Sequence, residues 1–441
     1  ERVPSVLLLL FFLFQSSFSQ YYSYSVYQNG TKQSDVAYGI VVDANGNQYI
    51  TGTTDGSLYG VSYGGQDFFI TAFYASGSTH GVTFGTPEDD KATAIILDEK
   101  RGNLIVCGST EGNLYNENEG DSTNGFVLAV SASTLAGVWG YQLENTEAAS
   151  FNHLALDPNN DEYLYLIGTT KNSYPHYNQN LTGSSDYLIV QMNIAGATPT
   201  VNWIRLLGTE LYAHGRNIAV DTKGFVYVCG FALGSALQYR AVSNGQADML
   251  VAKMNSAGSF LWVKLIGGPQ IEDSWWIAFN KDSYGTMYIA ADTSGNFSYN
   301  GKPIDTVGDS LDNIGVVSVN MATGAVNWIV VEGVSTKGAA TPAAIFYGSD
   351  SNLYLSGMAK GTFEGIPSND NSEDVLFAIY SNTGSLKYFD LLGSSATELV
   401  YGMALDQNLN AYIVGSTDGE FGAKNQGLSS DYYKIVATKD L

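Results

Sequence analysis

The feature that most constrains this chain is that it repeats itself. Residues 34–52 read "SDVAYGIVVDANGNQYITG", and much of that stretch returns at 214–230 as "HGRNIAVDTKGFVYVCG". Both run from an apolar segment to Asp, through a Gly-containing turn, into an alternating segment that ends in Gly. The closing glycine is Gly52 in the first copy, and its counterparts are Gly108, Gly168, Gly230, Gly357 and Gly415, with Ala291 in one copy. The intervals are 56, 60, 62, 61, 66 and 58 residues. A second marker keeps the same register: an Asp or Asn opens the next apolar segment at Asp67, Asn124, Asp186, Asp248, Asn313, Asp374 and Asp431. The chain writes one unit seven times, and a period of this length is the mark of a solenoid or a propeller.

Each copy holds four strand-like runs separated by turn residues. In the fourth these are "NIAVD", "FVYVCG", "DMLVAKMN" and "FLWVKLIGG". Four short strands per unit predict an all-β, seven-bladed propeller with four-stranded antiparallel blades. A lone blade cannot bury both of its faces, so neighbours must stack and the ring must close. The seventh copy stops after its third strand, "DYYKIVATKDL". The segment "YYSYSVYQNG" near the other end is free to supply the missing outer strand. Ring closure by the N-terminal strand joining the last blade follows, and it removes an exposed edge.

"AYGIVVDANGNQYITG" followed by "GGQDFFITAFYASGS" resembles the SBBP family of β-propeller repeats. The likeness is close in copies one, four and seven. Copy five departs from it at Asn280 and Ala291, and copy six places Tyr347 at the Asp position. The resemblance implies a propeller and an extracellular or surface setting, and it carries no catalytic residues.

The first residues, "ERVPSVLLLLFFLFQSSFSQ", combine Arg2 with an apolar run Val6–Phe14 and a small-x-small site at Ser17–Ser19. This reads as a signal peptide over 1–19, or else a retained apolar arm, ahead of one propeller over 20–441. The run is shorter than the roughly 20 residues a bilayer crossing needs. Acidic residues outnumber basic ones 43 to 20, a formal charge of −23, which repels phosphate backbones and argues against a nucleic-acid partner. The sequons at Asn29, Asn180 and Asn296 fall in expected turns and suit a glycosylated secreted protein.

Chemistry-bearing residues are sparse. Asp43, Asp98, Asp157, Asp221 and Asp406 sit where a strand meets a turn, and Asx hydrogen bonding explains their recurrence without a metal. Cys107 and Cys229 occupy the same slot two copies apart, too far for a disulfide, and are expected to be buried free thiols. The four histidines form no metal-ligand or nucleophile motif, and no cofactor is expected. Trp139, Trp203, Trp262 and Trp328, with Tyr388, repeat at one position of the fourth strand, as inter-blade packing requires.

The candidate ligand site comes from register. Aligned first strands place Tyr38, Thr93, Asn152, Arg216, Trp275, Pro342 and Tyr401 at one level of a channel mouth. Gly39, Ala94, His153, Asn217, Trp276, Ala343 and Gly402 occupy the next level. Of these, Tyr38, Asn152, His153, Arg216, Asn217, Trp275, Trp276 and Tyr401 could recognise a sugar by stacking and hydrogen bonding. The leading functional expectation is a secreted structural or interaction disc that self-associates at the cell surface or in an extracellular fibre. A lectin-like propeller is the alternative, and a propeller hydrolase or lyase the third.

Overall fold

The computed structural model describes residues 22–115, 122–143, 147–280, 285–294, 298–299, 302–303, 312–334, 338–426 and 429–440. The proposed signal segment 1–19 lies outside them. Seven four-stranded antiparallel sheets follow one another. The first blade runs Asp35–Val42, Gln48–Thr54, Asp67–Phe73 and Thr79–Phe84. The innermost strands of the next five blades are Asp90–Asp98, Ala149–Leu156, Tyr212–Val220, Glu272–Phe279 and Ala339–Tyr347. That of the seventh is Glu398–Leu405. Each packs against the innermost strand of both neighbours, and the seventh returns to the first, so the ring is closed.

The closure uses both ends of the chain. The seventh sheet is completed by Tyr22–Asn29, paired antiparallel with Asp431–Lys439 from Tyr22↔Lys439 to Asn29↔Tyr432. Without that strand the last blade would present an unpaired ladder edge.

The core is divided by seam. Seven apolar clusters each join two adjacent blades: Phe68 of the first blade packs on Phe126 of the second at 4.9 Å, and Phe69 on Tyr432 across the closure at 5.1 Å. Third strands are buried along nearly their whole length because both faces meet a neighbour, as in Asp67–Phe73. Each fully buried Phe or Leu side chain stabilises the ring by about 1.5–3 kcal/mol.

The outer-strand aromatics sit at these seams. Trp203 donates its indole N–H to the Ser256 carbonyl of the next blade at 3.1 Å, and Trp262 does the same to Met321 at 3.2 Å. The recurring turn aspartates act as turn residues. Asp221 Oδ1 accepts from the Lys223 and Phe225 amides at 2.9 and 3.0 Å, and Asp406 repeats this with Asn408 and Asn410. The second oxygen accepts a tyrosine hydroxyl from the following strand, Tyr227 on Asp221 and Tyr412 on Asp406.

The sixth blade corrects the sequence register by one residue. Pro342 pairs with Gly357, which puts Ala343 and Ala344, rather than Pro342 and Ala343, at the two mouth levels. Gly348, not Tyr347, therefore stands where the other copies have the turn Asp. Asp350 takes over that role two residues later, accepting from the Asn352 amide and the Tyr354 hydroxyl.

Candidate functional site: the mouth of the ring

All seven innermost strands carry a β-bulge at the same place, and the extra residue is the first mouth-level residue. It is Tyr38, Thr93, Asn152, Arg216, Trp275, Ala343 and Tyr401 in turn. A bulge leaves one residue outside the ladder and re-aims its side chain. The ring thus gathers seven side chains of unrelated chemistry at one level.

These side chains engage one another. Tyr38 and Tyr401, from adjacent blades across the closure, stand 4.8 Å apart, with the Lys91 ammonium 4.1 Å from the Tyr38 ring. Asn152 donates to the Gly215 carbonyl at 2.7 Å. The Arg216 guanidinium lies 3.8 Å from the Trp275 ring and pairs with Asp273 Oδ2 through both Nε and a terminal nitrogen. Burial raises the Asp273 carboxyl to about 6, with Arg216 opposing the rise. Burial and the neighbouring Asp273 push Asp292 up to about 7, while Trp275 and Arg216 pull the other way.

One level further in, His153 of the third blade meets Trp276 of the fifth edge-to-face at 4.7 Å. Those blades are not neighbours, so the contact lies inside the ring. Trp276 continues to Phe346 of the sixth blade at 5.7 Å. Asn217 is buried, with its Oδ1 accepting the Ile277 amide at 3.2 Å. Burial pushes the His153 imidazole down to about 4, and burial plus Arg216 does the same to His214. Both rings are neutral at pH 7.

The structure therefore brings Asn152, Arg216 and Trp275 into one polar cluster on the side of the third to fifth blades. Tyr38 and Tyr401 lie at the closure, and His153, Asn217 and Trp276 lie deeper. The cluster also contains Asp273, Asp292, Tyr212, His214 and Phe231, which sequence reasoning missed. The available signal was that an arginine among aromatics needs a counter-ion, and "EDSWW" offers Asp273 two residues before Trp275.

Cys107 and Cys229 are buried free thiols in the second and fourth blades, and burial pushes both up to about 12. Asn180 is exposed in a loop, while Asn29 is half-buried with its amide on the Tyr432 hydroxyl. Asn296 lies outside the described residues. No group of three or more metal-ligating side chains occurs among the described residues, and no helix there is long and apolar enough to cross a membrane.

The SBBP beta-propeller repeat family matches residues 202–234 and 387–422. Each match begins in the outer strand of one blade and ends beyond the second strand of the next, so it spans a seam. Those two stretches are similar to SBBP repeats, and the structure that contains them is a seven-bladed propeller. The WD40 domain of Neurospora crassa Pan2 superposes on it with a TM-score of 0.50 at 8% identity, covering 94% of this chain and 98% of that one. BamB from Moraxella catarrhalis covers 92% and 99% at 11% identity with a TM-score of 0.42. The virginiamycin B lyase of Staphylococcus aureus covers 94% and 99% at 12% identity with a TM-score of 0.46. Identities this low speak to architecture alone. No curated protein matches this chain.

Proposed function

We propose that the protein is an exported, glycosylated interaction disc, held by other molecules or by further copies of itself at the cell surface or in an extracellular fibre. One observation carries this reading. Of nine exposed large apolar side chains among the described residues, Val61, Tyr63, Tyr115, Leu211, Leu237, Val242 and Ile271 lie in connections on a single face. In an up-and-down blade the second-to-third and the blade-to-blade connections share one end of the ring, and these seven occupy those connections. The other two, Val138 and Leu261, sit on outer strands. Apolar side chains gathered on one face of a soluble disc mark an interaction surface.

The mouth supports the same reading from the inside, because its aromatics and its arginine are already engaged with one another. A glycan-binding reading rests on the part-exposed Tyr212, His214, Phe231 and Trp275 around Arg216, where sugar would compete with the arginine for the indole face.

Sedimentation of the wild type against the double variant Leu237→Asp, Val242→Asp tests the interaction face. The expected result is concentration-dependent association in the wild type, lost in the variant at unchanged melting temperature. Identical sedimentation of the two would remove this face from the account.

A further inference from the structure

The Asp near the start of five of the seven third strands does more than end a turn. Asp67, Asp248, Asp374 and Asp431 each accept, through Oδ2, a backbone N–H from four or five residues upstream, at 2.8 to 3.1 Å. Across the seam, the innermost strand of the next blade opens on a second carboxyl: Asp90, Glu272, Glu398 and Asp35 in the same order. Glu272 and Glu398 in turn accept the Gly268 and Ser394 amides at 2.9 and 2.8 Å.

The two carboxyls of a pair straddle one glycine. A Cβ placed on Gly267 would lie 2.1 Å from Asp248 Oδ1 and 2.7 Å from Glu272 Oε2. On Gly393 it would lie 2.2 Å from Asp374 Oδ1 and 2.8 Å from Glu398 Oε2. Gly30 stands in the same way between Asp431 and Asp35, and Gly85 between Asp67 and Asp90.

All eight carboxyls are buried, and among the described residues none is ion-paired. In three pairs both members keep one oxygen without a hydrogen-bond partner: Asp35 with Asp431, Asp67 with Asp90, and Asp248 with Glu272. In the fourth, the Ser394 and Thr417 hydroxyls donate to Glu398 Oε1. The other titratable groups facing the pairs are acidic or phenolic: Asp418 and Tyr433 beside Glu398, and Tyr59 beside Asp35. Where the third-strand residue is Asn124 or Asn313, the next blade opens on alanine, at Ala149 and Ala339. The second acid is absent wherever the first is an amide, and also across the seam from Asp186, which accepts the Thr182 amide at 2.8 Å but faces a fourth blade that opens on Tyr212.

We propose that each of these four carboxyl pairs retains a proton in the closed ring, so that the blade seams tighten in acid and loosen as pH rises. Two buried carboxylates on one glycine, with no basic side chain paired to either, cannot both ionise without strong repulsion, and protonation also supplies the donor that the orphaned oxygens lack. Burial raises Asp35 to about 6 and Glu272 to about 7, with Asp431 and Asp248 respectively adding to the rise. Asp374 also stands at about 6, and Asp67, Asp90, Glu398 and Asp431 are raised by burial. A carboxyl raised on folding binds more protons folded than unfolded. Its stabilising effect is therefore complete below the unfolded value near 4 and is lost as pH climbs through about 6 to 7.

Thermal melts of the full chain from about pH 5 to about pH 8 test this, run beside the triple variant Asp67→Asn, Asp248→Asn, Asp431→Asn. Wild-type melting temperature should fall by several degrees across that range. Part of the fall belongs to the general negative charge, so the variant decides: it should match the wild type near pH 5 and exceed it near pH 8. Parallel slopes would overturn the proposal. So would calcium raising the wild-type melting temperature near pH 8 but not the variant's, since a cation would then hold the pairs. Should the triple variant not fold, infrared spectroscopy of the wild type at neutral pH must show buried protonated carboxyl groups, and their absence refutes the idea.

Discussion

At the scale of the residue, the repeated glycine at the end of the outer strand is a close-approach position. Gly85 leaves room for Asp67, whose Oδ1 would lie 1.9 Å from a Cβ placed there. Gly85→Ala forces that buried carboxylate off its loop amide and is expected to cost about 1–3 kcal/mol in denaturant unfolding. Gly137→Ala, on an outer strand where a Cβ meets nothing within 4 Å, is the control and should stay within about 0.5 kcal/mol. Equal costs at the two sites would contradict this account of the glycines. The aspartate ring was legible in the sequence as a register marker because it recurs at a fixed offset. Its partners across the seam were not legible: they are Asp in two blades, Glu in two and absent from three, and nothing local links them to a residue in the preceding copy.

At the scale of the element, the four-strand blade and the ring closure were both legible. Turn residues punctuate each copy, and the seventh copy lacks a strand that the other end of the chain can supply. Deleting residues 22–29 should leave Asp431–Lys439 as an open edge and uncover Tyr433 and Tyr432, both fully buried in the intact ring. The expected outcome is a lower melting temperature with aggregation on warming. A monomer that melts like the full chain would show that the closing strand is dispensable. The bulge that builds the mouth was not legible, because its extra residue is Tyr, Thr, Asn, Arg, Trp, Ala and Tyr in turn. The one-residue slip in the sixth copy has the same origin. With Gly348 at the turn position and Asp350 supplying the carboxylate, the sequence marker moves while strand pairing does not.

At the scale of the whole molecule, the mouth residues that register alone brought together divide between a closure pair, a polar cluster and a plug across the channel. Which side chains touch across a ring depends on blades that are distant in sequence, so no pattern within one copy encodes the His153–Trp276 contact. The disc that results is closed at its seam, is filled along part of its axis and carries most of its exposed large apolar side chains, among the described residues, in the connections of one face. Its central functional claim is that such discs work by being assembled. Electron microscopy of the native material tests this most directly. Regular fibres or sheets of disc-shaped units, touching through the face that carries Leu237 and Val242, are the result the account predicts. Dispersed single discs would contradict it and shift attention to glycan binding around Trp275.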